Sequence, residues 1–197
     1  MIVAVVLSAG ESRRMGRPKA LLPIGEESFL ERIVGSLKAV KVEKIVVVLG
    51  HNAADIETKI AHLPVTIVVN PDYAQGQLSS LIAAIRSLPA EKVDGILVHL
   101  VDHPFVNPGL VNRMIDRFYE SKKLIVVPKW KGRRGHPVIF SSRLFGELLS
   151  APLDQGAKRV VHAHMDDTLE IETDQAGITF DIDTPEDYRR HVGRRGE

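Results

Sequence analysis

Four cationic side chains, Arg13, Arg14, Arg17 and Lys19, crowd into one stretch near the N-terminus, with Glu11 as the only acid among them. Gly10 and Gly16 punctuate the same stretch. Glycine lets the backbone approach an anion closely, and successive amide N–H groups can form an anion-binding concavity. Arg14 and Lys19 add full charges, so the chemistry this pattern suits is the grip of a polyphosphate. A solvated basic turn is the plainer reading, and residue types alone leave both open. Two other phosphate loops are excluded: no Gly-Lys-Ser/Thr closes the stretch as in a Walker A loop, and it holds no G-x-G-x-x-G.

Carboxylates at two distant places could supply hard oxygen ligands to a magnesium ion, which takes one or two carboxylates beside phosphates and water. Asp102 ends the apolar run Ile96–Val101, and an Asp there also reads as a cap on the next turn. Asp181 and Asp183, separated by Ile182, share a face at strand spacing. His136 lies in Gly135-His136-Pro137-Val138, beside the basic residues Lys129, Lys131, Arg133 and Arg134. That group could receive an anionic ligand or form a solvated hairpin tip. No H-E-x-x-H or G-x-S-x-G is present, which argues against zinc and serine hydrolysis. The chain has no cysteine, so disulfides and thiolate metal sites are excluded and a reducing compartment fits.

The elements that must position these groups can be read from periodicity. Ile2 to Leu7 is continuously apolar and rich in β-branched residues, as strands buried on both faces are. A turn at Pro23-Ile24-Gly25 leads to a helix from Ser28 to about Val40, opened by a Ser28/Glu31 capping box. A strand over Lys44–Leu49 is followed by a helix from an Asn52 cap to about His62, then a strand over Val65–Val69. The loop from Asn70 leads into a helix over about Leu78–Leu88, whose N-terminus would offer free amides to an anion. Asp94–Val101 reads as a strand, Asn107 and Pro108 open a helix to about Tyr119, and Leu124–Pro128 is another strand. Pro137–Phe140, Thr168–Glu172 and Ile178–Asp181 read as extended. Helices are expected over Ser142–Ser150, Ala157–Ala163 and from Thr184, with a frayed tail from Gly193.

Strands alternating with helices predict a single-domain three-layer α/β/α fold over residues 1–192 with a Rossmann-like, mainly parallel sheet. At 197 residues the chain can bury a full core. Net charge of +1 gives no electrostatic case for nucleic acid or an anionic membrane, and no targeting or membrane-spanning stretch is visible, so a cytoplasmic protein is expected.

Residues 7–23 closely resemble the signature of the MobA-like nucleotidyltransferases, roughly L-x-A-G-x-S-x-R-M-G-x-x-K-x-L-L-P. Leu7, Ala9, Gly10, Ser12, Arg14, Met15, Gly16, Lys19, Leu21, Leu22 and Pro23 match in register. The resemblance extends to residues 70–81, 102–104, 135–138 and 181–187, hence over the whole chain, and implies a fold of the nucleotide-diphospho-sugar transferase type. It implies that Leu7, Ser8, Ala9, Gly10, Arg14 and Lys19, with Asn70, Gly76, Ser79 and Ser80 of the second loop, bind the nucleotide. Asp102 falls in the family's Gly-Asp-x-Pro metal motif, although Val101 replaces the Gly and His103 stands where cytidylyl-transferring members often have Gln. Asp183, in the matching Asp-x-Asp-Thr-Pro-Glu-Asp segment, is the expected second ligand to Mg2+, with Asp181 in reserve. Arg14, Lys19 and Asp102 would carry catalysis; His103 and His136 would border the acceptor.

The implied reaction transfers CMP from CTP to the terminal phosphate of a molybdopterin-type acceptor, with a molybdoenzyme or cofactor-delivery protein as a further partner. Ser8-Ala9-Gly10 is nearer the cytidylyl form Ala-Ala-Gly than the guanylyl form. Transfer to another phosphorylated acceptor, or nucleotide binding without turnover, are the alternatives that the changes at Val101 and His103 leave standing.

Overall fold

The apolar run at the N-terminus becomes β1, Ile2–Ser8, buried along its whole length, and the sheet is laid down on either side of it. The structure is a computed structural model that describes residues 1–89 and 92–193. β1 pairs in parallel with β4 (Lys44–Leu49) on one side and β6 (Gly95–Leu100) on the other, so that Val5 faces both Val46 and Val98. β5 (Thr66–Val69) continues the parallel set beyond β4. Beyond β6 lies β9 (Val138–Ser141), which is antiparallel to it and to β7 (Ile125–Trp130). β10 (Thr168–Glu172) closes the edge in parallel with β7, and the short β8 (Arg133–Arg134) folds back on β7.

Alternate residues of β1 feed two cores, as the two-residue period of a strand requires. Ile2, Ala4 and Val6 pack with α1 (Phe29–Lys38), α2 (Ala53–Ile60) and α4 (Pro108–Ser121). Val3, Val5 and Leu7 pack with α3 (Gln77–Arg86), α5 (Phe145–Ser150) and α6 (Lys158–Ala163). The expected three-layer, mainly parallel architecture is therefore the one found. The Ser28/Glu31 capping box forms at α1, and Asn107 with Pro108 opens α4. Among the described residues no helix is long and apolar enough to cross a membrane.

Three local expectations need correction. Ile178–Asp181 is not a strand: Ala176–Thr179 forms a 3₁₀ turn, because β10 already occupies the sheet edge beside β7 and Ile178 is drawn into the core instead. Asn52 precedes α2 but its side chain makes no capping hydrogen bond; it serves the turn by adopting φ 54°, a left-handed conformation that Asn tolerates. The turn after Pro23 is a small hairpin, β2 (Pro23–Ile24) against β3 (Glu27–Ser28). Of the expected frayed tail, residues 194–197 lie outside the described residues.

A third, smaller apolar cluster fixes the site. Met15 and Leu22 from the N-terminal loop, with Ile24 of β2 and Phe29 at the start of α1, pack with Ile182 and Val192 from the C-terminal arm. The arm continues into α7 (Pro185–His191), opened by a Thr184/Asp187 capping box. Chain segments far apart in sequence are thus clamped together by apolar contact.

Candidate active site

The basic loop leaves the carboxyl end of β1, where open parallel sheets place their ligands. Its course is set by backbone bonds. The Ala9 carbonyl accepts the His51 N–H (3.0 Å), and the Ser12 carbonyl accepts the N–H groups of Met15 and Gly16 (both 3.0 Å). Ser12 adopts φ 53° and its Oγ accepts the Lys19 N–H (3.2 Å). With Met15 buried as an anchor, Lys19 is directed inward, its side chain only 11% exposed.

Lys19 is the centre of the constellation. Its Nζ lies 3.3 Å from Asp102 Oδ2 and also donates to Asp183 Oδ1, while Arg14 donates to Asp183 Oδ2. Two carboxylates 81 residues apart in the sequence therefore meet at one ammonium. The arm that carries Asp183 is held to the end of β6 by the Ile182 N–H, which donates to the Asp102 carbonyl (3.0 Å). Ile182 is fully buried, so the acids on either side of it point outward. Burial by itself would raise Asp183, but the Lys19 ammonium and Arg14 guanidinium outweigh it and hold the carboxyl below its ordinary range. Asp181 is pushed up to about 6 by burial and by the charges of Asp102 and Asp183.

These groups line a cleft of about 320 Å³. Leu7, Ser8, Ala9 and Gly10 form one wall, Arg14 and Lys19 another, and Gly76, Ser80, Asp102 and Asp183 complete it. Asn70 and Ser79, expected at the nucleotide, do not line it. Asn70 is buried behind the loop, where its Nδ2 donates to Ser79 Oγ (2.9 Å) and Ser80 Oγ (3.1 Å), so it positions Ser80. The serines do not cap α3; Gly76 holds the N-cap position, and Ser79 Oγ donates back to the Gly76 carbonyl (2.7 Å). Tyr73 and Gln77 also line the cleft, and sequence reasoning passed over both although they sit in the same 70–81 segment.

A second cleft of about 640 Å³ shares Leu7, Gly76, Gln77 and Leu100 with the first. His136, Arg134 and Lys158 line it over an apolar floor that includes Val138 and Phe140. His136 is therefore where an acceptor could meet it. His103 is not, because it is buried beneath Asp102 and lines neither cleft. Lys129 and Arg134, read as a possible anion receptor, are paired with Glu170 on β10.

His99, His103 and His136 form a row, with ring centroids 6.4 Å apart edge-on and 4.9 Å apart at a tilt. His99 Nε2 lies 2.7 Å from the His103 carbonyl. Burial pushes His99 and His103 down to about 3. The unfolded chain, with ordinary values near 6.5, therefore binds protons that the folded chain refuses between pH 6.5 and about 3. Stability is full above that window and falls as pH drops through it, by about 1.4 kcal/mol per pH unit for each such histidine. Urea melts of the native protein and His99→Gln from pH 7 to pH 5 are expected to differ by one histidine's share of this slope, a comparison in which the opposing proton uptake at Asp181 cancels.

The residues fit a divalent cation: Asp102 Oδ1 is buried without a hydrogen-bond partner, an arrangement that costs free energy unless a cation meets it.

The model of the MobA-like NTP transferase domain matches residues 4–168. The molybdenum cofactor cytidylyltransferase of Escherichia coli is 28% identical over 193 residues, covering 95% of this chain and 93% of its own. The purine catabolism protein PucB of Bacillus subtilis is 28% identical over 195 residues, covering 95% and 94%. The crystal structure of Rv0371c from Mycobacterium tuberculosis superposes with a TM-score of 0.85 at 32% identity, covering 98% of this chain and 97% of that one. Its complex with manganese gives a TM-score of 0.81 at 30% identity, with 98% of each chain covered.

Proposed function

The chain belongs to the MobA-like NTP transferase family and is a nucleotidyltransferase, and from that premise we propose that it transfers CMP from CTP to the terminal phosphate of molybdopterin, releasing pyrophosphate. The observation that carries the reading is the meeting of Lys19 with Asp102 and Asp183 under a cationic loop. A site for phosphoryl chemistry needs positioning and charge neutralisation more than covalent help from the protein. The name of the Escherichia coli relative supports the molybdopterin acceptor, and Ser8-Ala9-Gly10 in the wall of the cleft supports cytosine.

The triphosphate lies along the loop, where Arg14 and Lys19 exchange their carboxylate partners for phosphate oxygens. Gly10 and, at the N-terminus of α3, Gly76 and Gln77 line the same cleft, where backbone amides would add partial positive charge. Asp102, with a carboxylate of the Asp181–Asp183 arm, would hold the divalent ion, magnesium by the sequence resemblance, and the manganese complex of the mycobacterial neighbour supports a divalent ion there. When bound, that ion neutralises triphosphate charge and polarises the phosphorus under attack. The acceptor enters from the second cleft, its phosphate drawn by Lys158 and its apolar body laid against Val138 and Phe140. His136 borders this path and orients the acceptor. Product passes to a molybdoenzyme or delivery protein in the cytoplasm.

Pyrophosphate release with CTP, GTP, ATP and UTP against molybdopterin and a panel of sugar and alcohol phosphates tests the assignment. The expected result is turnover with CTP and molybdopterin at least about tenfold above every other pair, a discrimination of about 1.4 kcal/mol. Preference for GTP removes the cytidylyl claim, and preference for a sugar phosphate removes the acceptor claim.

A further inference from the structure

The two oxygens of Asp102 face different neighbours. Oδ2 meets Lys19 at 3.3 Å, whereas Oδ1 is buried, makes no hydrogen bond and lies 3.7 Å from His103 Nε2. His103 is itself 7% exposed, and its Nδ1 also lacks a hydrogen-bond partner. One ligand atom each from Asp102, His103 and Asp181 lie within 4.8 Å of one another. Opposed ligands of one small divalent ion stand about 4.2 Å apart, so slight side-chain closure brings all three onto it. Asp183 has both oxygens engaged by Lys19 and Arg14.

The backbone holds this trio in place. The His103 N–H donates to the Leu100 carbonyl (3.1 Å), and the Ile182 N–H ties the residue after Asp181 to the Asp102 carbonyl (3.0 Å). Asp181 is exposed, which leaves an entry path from solvent. Resting on the reading of Asp102 as the ion's anchor, we propose that His103 and Asp181 complete the site, one imidazole and two carboxylates that select manganese over magnesium. Imidazole is a good ligand for first-row transition ions, whereas magnesium keeps to carboxylate, carbonyl and water oxygen.

The test uses the full chain with Mn2+ alone and no nucleotide. Loss of the free-ion EPR signal measures affinity, and pulsed EPR detects nitrogen coupled to the bound ion. We expect imidazole nitrogen coupling in the native protein that changes when histidine is labelled with 15N. His103→Gln should abolish the coupling and weaken Mn2+ at least about tenfold, a common cost of disturbing a metal's ligand shell. Mg2+, measured by competition, should weaken less, whereas Asp181→Asn should weaken both ions. If bound Mn2+ is lost in Asp102→Asn yet the native protein shows no histidine coupling, the His103 assignment is overturned and the Asp102 anchor stands. If Asp102→Asn binds Mn2+ as the native chain does, both are overturned. The native-protein measurement decides the point even should His103→Gln fail to fold.

Discussion

Asp102→Asn is expected to lower turnover by at least about a thousandfold, which corresponds to about 4 kcal/mol of transition-state stabilisation. The substitution keeps the shape of the side chain and removes its charge. It spares the carbonyl of residue 102, so the bond from the Ile182 N–H (3.0 Å) still holds the C-terminal arm. What disappears is the buried anionic Oδ1 and the partner of Lys19 at Oδ2. Nucleotide measured in the presence of a chelator should bind within a few-fold of the native protein, because the cationic loop is intact. A pyrophosphate-release assay beside a thermal melt separates lost chemistry from lost structure. Turnover within tenfold of the native value would remove Asp102 from the reaction, and an absence of turnover in the native chain would favour the non-catalytic alternative.

The second large effect is expected at Lys19. Lys19→Met keeps the length and the apolar stem but deletes the ammonium between two carboxylates whose side chains are only 22% and 20% exposed. We expect kcat/KM to fall by about two to four orders of magnitude, with nucleotide affinity falling as well, because the same ammonium must serve the triphosphate. Stability should drop too, by about 1–3 kcal/mol, less than for a fully buried pair because water still reaches the acids. Without the ammonium, Asp183 keeps only Arg14 to oppose burial, so its carboxyl should titrate higher than in the native chain. NMR titration of that carboxyl, calorimetric nucleotide binding and steady-state kinetics read the three consequences. A variant that loses stability but keeps nucleotide affinity and kcat/KM would make Lys19 a structural counter-ion and nothing more.

Both predictions concern residues found first by their type and setting. Lys19 was legible because a cationic, glycine-punctuated loop follows an apolar strand, and Asp102 because an acid ends another such strand. The motif match then tied them to one reaction. The three-layer fold was legible for a similar reason: β1 alternates its side chains between two faces, and both faces are apolar. The errors lie where local pattern and tertiary demand part. Ile178–Asp181 alternates like a strand, yet the place beside β7 is already taken by β10 and Ile178 is drawn into the core. Asn70 has the polarity of a ligand-binding residue, and its amide is consumed in fixing Ser79 and Ser80. His103 stands next to a metal motif, but nothing in its neighbours along the chain shows that it is buried under Asp102 rather than facing the acceptor.

The amino-acid sequence alone determined which residues carry charge at the ends of which strands, because periodicity and composition are local properties that a strand or helix expresses wherever it packs. Only the tertiary structure decided how the charges meet. Ile182 locks into the cluster of Met15, Leu22 and Phe29, and that apolar contact turns Asp183 toward Lys19 while leaving Asp181 beside Asp102 and His103. The choice between those two acids depends on which side of one buried isoleucine each projects from, and that is settled by packing between segments more than 150 residues apart.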